Sequence, residues 1–232
     1  MNPYHPKILS FLVLFFHFGL MCSLSQQADN INQTDIHGHK TGLWEGHYPS
    51  GELRYTGRFI DDQPTGEFIY YYESGALRAT NQFSLNGRKA YNKVYSEQGI
   101  LLNEGVYFDQ KKDSIWRVYS DTDGKLIAEE QYQNDLLQGP SKVYYPGNGQ
   151  LAELTSYENG IKQGEWKRWF EDGSILNEAN YVNDQLDGKA VFYHPNGAIE
   201  QQGYYHHGQK AGLWQLYDEQ GLLLEEEEYK LD

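Results

Sequence analysis

Seven ring residues recur at one fixed position: Tyr71, Tyr95, Tyr119, Tyr144, Trp169, Tyr193 and Tyr217. Their type and spacing could do chemistry, because contiguous exposed rings mark interaction surfaces. The residue two places earlier is often basic, as at Lys93, Arg117, Lys142 and Lys167. One reading is structural, with rings and lysine stems packing across strands. The other is a groove for a ligand. A protein partner could lay apolar anchors on the rings, or a polysaccharide could stack sugar faces on them.

Catalytic constellations do not emerge. The single cysteine is Cys22, near the N-terminus. No Gly-x-Ser-x-Gly elbow, phosphate loop or His-Glu-x-x-His helix occurs. His37 and His39, with His47 nearby, could ligate a metal, but no cysteine or well-placed carboxylate completes the set. Asp61-Asp62 and Asp121-x-Asp123 suit turns better than calcium, since Asp closes its own backbone turn. His206-His207 sits in a linking turn. The expectation is a protein that is not an enzyme and has no cofactor or metal.

The elements that position the rings follow from a period. Repeat openers stand at Gly42, Gly66, Ala90, Ser114, Gly139, Gly164, Gly188 and Gly212, 24 or 25 residues apart. Large aromatics follow two places later at Trp44, Phe68, Trp116, Trp166 and Trp214. The ladder ring comes three places further, with His47 standing in the first copy. A turn glycine ends each first strand, from Gly51 to Gly221. Leu or Ile lies two after it and Tyr or Phe eight after it, in all eight copies. A fixed period of this size marks a repeat architecture.

Within a repeat the pattern alternates with period two. Leu53, Tyr55, Gly57 and Phe59 share one face, and Arg54, Thr56 and Arg58 the other, as in a half-buried strand. Pro49-Ser50-Gly51 and Pro195-Asn196-Gly197 read as hairpin turns. One hairpin buries too little to order itself, so the repeats must stack. The fold class is therefore all-β: an elongated, twisted antiparallel meander of eight hairpin repeats over 42–232, with about sixteen strands. In the last strand Glu225 and Glu227 fall in the inner column. They fit a solvated terminal strand or a charge guard on a sheet edge.

The formal charge is −14 and the sequence pI near 4.9. An acidic chain lacks the basic patch that nucleic acid requires and has no electrostatic pull toward anionic lipid. Residues 1–25 read as a signal peptide, with Lys7 before an apolar run from Ile8 to Leu20. A cut after Ser25 would leave no stable membrane span and export the chain to the periplasm or beyond. An uncleaved anchor is the alternative. Lipidation at Cys22 is the weaker reading, because Met21 stands where a small residue is usual. Residues 26–41 are polar and read as a disordered lead-in.

Two segments carry a family likeness. Tyr144-Tyr145-Pro146-Gly147-Asn148-Gly149-Gln150-Leu151 and Tyr157-Glu158-Asn159-Gly160-Ile161-Lys162-Gln163-Gly164 resemble MORN-type repeats in their bacterial variant. The resemblance covers residues 42–232 and implies a β-hairpin repeat scaffold for protein–protein interaction. Some bacterial chains of this variant are described as antitoxins (the YwqK type), and a signal-bearing chain sits awkwardly beside a cytoplasmic toxin. The sequence departs from the pattern at Asn92, which replaces a large ring, and at Asp109–Asp113, which replaces a linking Asn-Gly. A local kink or bulge is expected near 85–125, from a decayed repeat or a partner site.

Overall fold

The computed structural model describes residues 30–230. The segment read as a signal peptide, with Ser25 and Cys22, lies outside the described residues. The chain forms β1 (Gln33–Thr34), β2 (Lys40–His47), β3 (Leu53–Ile60), β4 (Gln63–Tyr71), β5 (Leu77–Ser84) and β6 (Lys89–Tyr95). It continues through β7 (Leu101–Phe108), β8 (Lys111–Tyr119), β9 (Leu126–Gln133), β10 (Leu136–Tyr144), β11 (Leu151–Glu158) and β12 (Ile161–Trp169). It ends with β13 (Ile175–Val182), β14 (Gln185–Leu186), β15 (Gly188–Tyr193), β16 (Ile199–His206), β17 (Gln209–Tyr217) and β18 (Leu223–Tyr229). Each strand pairs antiparallel with its sequence neighbour in one open sheet. At about 4.8 Å per strand, the sheet runs roughly 75 Å along its hydrogen-bonding direction.

Two strands exceed the expected sixteen. The strand opening the seventh repeat is broken at Asp187, so both β14 and β15 pair with β13. The other addition, β1, corrects the disordered lead-in over its described part. Gln33 and Thr34 pair with Thr41 and Lys40. The Trp44 indole donates to the Gln33 carbonyl at 3.1 Å, and Asp35 accepts the His37 and His39 backbone N–H groups. Polar composition alone did not foresee this, because the pairing residues Lys40 and Thr41 are themselves polar and are ordered as the start of β2, which runs on into the first repeat.

The two faces differ. On one, which we call the ring face, three of the large aromatics lie over a glycine of the preceding strand, while Trp166 stands opposite Thr155. A Cβ on Gly57 would stand 2.4 Å from Phe68, on Gly105 2.2 Å from Trp116, and on Gly203 2.3 Å from Trp214. Neighbouring rings meet edge-on: Phe68 lies 5.1 Å from both Phe59 and Phe83, and Trp116 lies 4.8 Å from Tyr107. Lysines two places before the opener cap them, with Lys112 over Trp116 and Lys210 over Trp214. Phe68, Trp116 and Trp214 are thereby buried without a second layer.

The expected disturbance at 85–125 is present in the link and in the next repeat: Leu85, Asn86 and Gly87 hold positive φ in a four-residue turn, and β7 slips against β8 between Glu104 and Val106. Seven openers hold positive φ, including Ser114 at 60°, and beside six of them the ladder to the preceding strand slips register or breaks. Ala90 does not, and β5 pairs with β6 without a shift. An alanine opener avoids the left-handed region that glycine enters freely, so the β5–β6 ladder itself runs in regular register.

Both ends of the hairpins are stitched to the next repeat. The hydroxyls of Tyr48, Tyr72 and Tyr145 donate to the carbonyls of Tyr71, Tyr95 and Trp169, each at 2.7 Å. At the opposite ends Asp62, Asp135 and Asp184 accept from the backbone N–H of Lys40, Lys112 and Lys162. Extensive contacts join only strands that are neighbours in the meander, so stability accumulates repeat by repeat. Tyr72→Phe should cost about 1 kcal/mol. Amide exchange should then quicken around Tyr95 and stay unchanged beyond β12.

Candidate functional site

Register brings the seven predicted ladder residues into one row. Tyr71, Tyr95, Tyr119, Tyr144, Trp169, Tyr193 and Tyr217 pair across a bulge with Leu77, Leu101, Leu126, Leu151, Ile175, Ile199 and Leu223. All seven are half-buried. Every rung is two strands from the next, about 10 Å.

The ladder lies on the face opposite the ring face. Its tyrosines reach a cross-strand row that contains Lys93, Glu104, Arg117, Glu129 and Lys142 in consecutive register. The Tyr119 hydroxyl donates to Glu104 Oε1 at 2.7 Å, and that of Tyr91 to Oε2 at 2.6 Å. Tyr144 donates to Glu129 Oε2 at 2.9 Å while Arg117 Nε holds Oε1 at 2.9 Å. Lys93 stands 3.8 Å from Glu104. The row resumes at Lys167 and Glu178, 3.3 Å apart, and Tyr193 donates to Glu178 at 3.1 Å. Tyr217 donates to Gln215 Oε1.

These contacts set the protonation states. Burial works to raise the Glu104 carboxyl, but the bonds from Tyr91 and Tyr119 and the nearby cations outweigh it and hold it below the usual range. Glu129 is lowered by the same balance, with Tyr144 and Arg117 opposing burial. Burial first, and then the carboxylates, push the phenols of Tyr91, Tyr119 and Tyr144 up to about 12. Near neutrality these phenols are fixed donors rather than bases.

The sequence found the rings and the basic residues but missed the carboxylates. The expected packing of rings on lysine stems is largely replaced by pairing of both with Glu104, Glu129 and Glu178. A signal existed: each of the three lies five places after its turn glycine, at Gly99, Gly124 and Gly173. The metal expectation also changes partners. Ligand atoms of Asp35, His39 and Asp61 lie within 4.8 Å of one another, whereas the sequence had grouped His39 with His37 and His47. Asp35 Oδ1 is already taken by two backbone N–H groups, and its other oxygen, Oδ2, lies 3.4 Å from His39.

The fold thus defines an all-β hairpin-repeat scaffold. Three stretches, 64–84, 162–183 and 186–207, match the family model of the MORN repeat variant. The region between, 85–161, contains the departures noted above. No curated protein matches the chain. Among the solved chains that match, two do so at 14% identity. One comes from the crystal structure of TcdB2-TccC3-Cdc42, at a TM-score of 0.25. The other is from TcdB2-TccC3 without its hypervariable C-terminal region, at 0.24. Each likeness covers 79% of this chain, which spans 11% of the solved chains.

Proposed function

We propose that this chain is an exported, non-enzymatic repeat scaffold that holds a protein partner along the ladder face. One observation carries the reading: seven half-exposed rings stand in a single row, backed by a row of alternating charges. Large apolar side chains share that face in the open, among them Tyr91, Ile115, Tyr204 and Leu213. An exposed mixture of rings, apolar groups and charges suits a protein interface. Export rests on the apolar run before Ser25 and would give a native chain beginning at Gln26.

Crosslinking and mass spectrometry on the native envelope fraction, with the mature chain as bait, tests it. One dominant protein should crosslink through ladder strands and be lost with Tyr144→Ala plus Trp169→Ala. Recovery of polysaccharide alone, abolished by the same substitutions, would replace the reading with glycan binding. Turnover of a substrate by residues 26–232 would overturn both.

A further inference from the structure

On the ring face the rungs are not all filled. The place two after the opener holds a ring at Trp44, Phe68, Trp116, Trp166 and Trp214, but Asn92, Ser141 and Ala190 in the third, fifth and seventh repeats. The residue beneath these three places is Asn81, Glu130 and Ala179, where Phe68, Trp116 and Trp214 have glycine and Trp166 has Thr155. Two of these gaps are closed from within. Glu130 accepts from Tyr132 at 2.8 Å. Ala179 and Ala190 are covered by Trp166, Phe192 and Tyr205.

The third repeat is hollow. Asn92 is buried and donates to Asn81 at 2.6 Å. Above Ala90 this leaves a cavity of about 370 Å³ between Phe83 and Tyr107, bounded by Gly87, Arg88 and Gln110. The residue that would cap it, Arg88, is turned to Asp109 through two 2.7 Å bonds. The flanking rings are already engaged on their far sides, Phe83 by Phe68 and Tyr107 by Trp116.

We propose that this hollow is a binding site for an aromatic side chain of a partner protein. The chain itself shows which group fits. Where the same place is filled, Trp44, Phe68, Trp116 and Trp214 meet a flanking ring edge-on, and Trp166 meets Tyr181 tilted. Edge-to-face pairing is the preferred aromatic geometry, and the space is more than twice the roughly 150 Å³ that suffices for benzene. The buried Asn81–Asn92 pair supplies a polar floor. The site lies on the opposite face from the tyrosine ladder and does not depend on it.

The test is titration of the full chain with indole, and separately with the peptide Gly-Gly-Trp-Gly-Gly, followed through the side-chain amide resonances of Asn81 and Asn92. Both probes should shift these signals saturably, with a Kd on the order of 1 mM for indole, a typical fragment affinity. Asn81→Gly with Asn92→Trp, which restores the missing rung, should weaken binding at least tenfold. Ala90→Leu fills the same space from the floor and serves if the double variant fails to fold. Absence of saturation, or equal binding by a folded filled variant, overturns the proposal. Binding of indole but not of the peptide overturns the protein source.

Discussion

Trp214→Ala should destabilise the C-terminal repeats by about 3–5 kcal/mol, the usual cost of removing a buried tryptophan. Trp214 is 2% exposed, its indole donates to the Tyr204 carbonyl at 3.0 Å, and it is held between Tyr205 and Lys210. Its ring also roofs Gly203, where a Cβ would meet ring atoms at 2.3 Å. Gly203→Ala alone should therefore cost about 3 kcal/mol through overpacking. In the Trp214→Ala background the same change should cost little, because the obstructing ring is gone and Ala179 with Ala190 shows that an alanine pair packs here. Chemical denaturation of the four proteins gives the coupling. Equal penalties for Gly203→Ala in both backgrounds would refute the ring-over-glycine account. Hydrogen exchange should place the loss in β15–β18, leaving β2–β9 protected.

Glu104→Ala should cost about 3 kcal/mol, since it strips one carboxylate from two phenols and leaves them without an acceptor. The Glu104 side chain is 13% exposed. The pH dependence has two limbs. A carboxyl lowered in the fold contributes stability above its unfolded value, near 4.3. That contribution is lost as pH falls through the lower folded value, for Glu129 as for Glu104. A phenol raised in the fold contributes below its unfolded value, near 10. That contribution disappears as pH climbs toward the folded value of about 12 for Tyr91, Tyr119 and Tyr144. Stability should be level between roughly pH 5 and pH 10 and fall on either side. Phenolate absorbance in Glu104→Ala should show two tyrosines ionising earlier than in the parent. An unchanged titration would mean that Glu104 does not hold them.

The architecture was legible because a few columns repeat: the turn glycine, the following Leu or Ile, and the Tyr or Phe. Each sets a local geometry that any copy reproduces. The row of seven rings followed from the same register. What stayed hidden depends on pairs in different strands. Glu104 is an ordinary surface acid until Tyr91 and Tyr119 converge on it from the strands on either side. Asn92 reads as a decayed position until Asn81 is seen opposite it. Nothing in the sequence marked Ala90 as the opener whose ladder, β5 against β6, runs without a bulge. The described part of the lead-in looked disordered because its pairing partner, Thr41, lies at the edge of the next element.

The alternation of filled and unfilled rungs bears on how such a chain can change length. From Phe68 onward a large ring recurs at 48 to 50 residues, not at the single repeat. Loss or gain of one hairpin repeat would set two rings or two gaps side by side, with the residue beneath mismatched to its roof. Loss or gain of two keeps every roof over its own floor. In this sheet the geometric module is one repeat, while the unit of insertion or deletion that preserves packing is a pair of them.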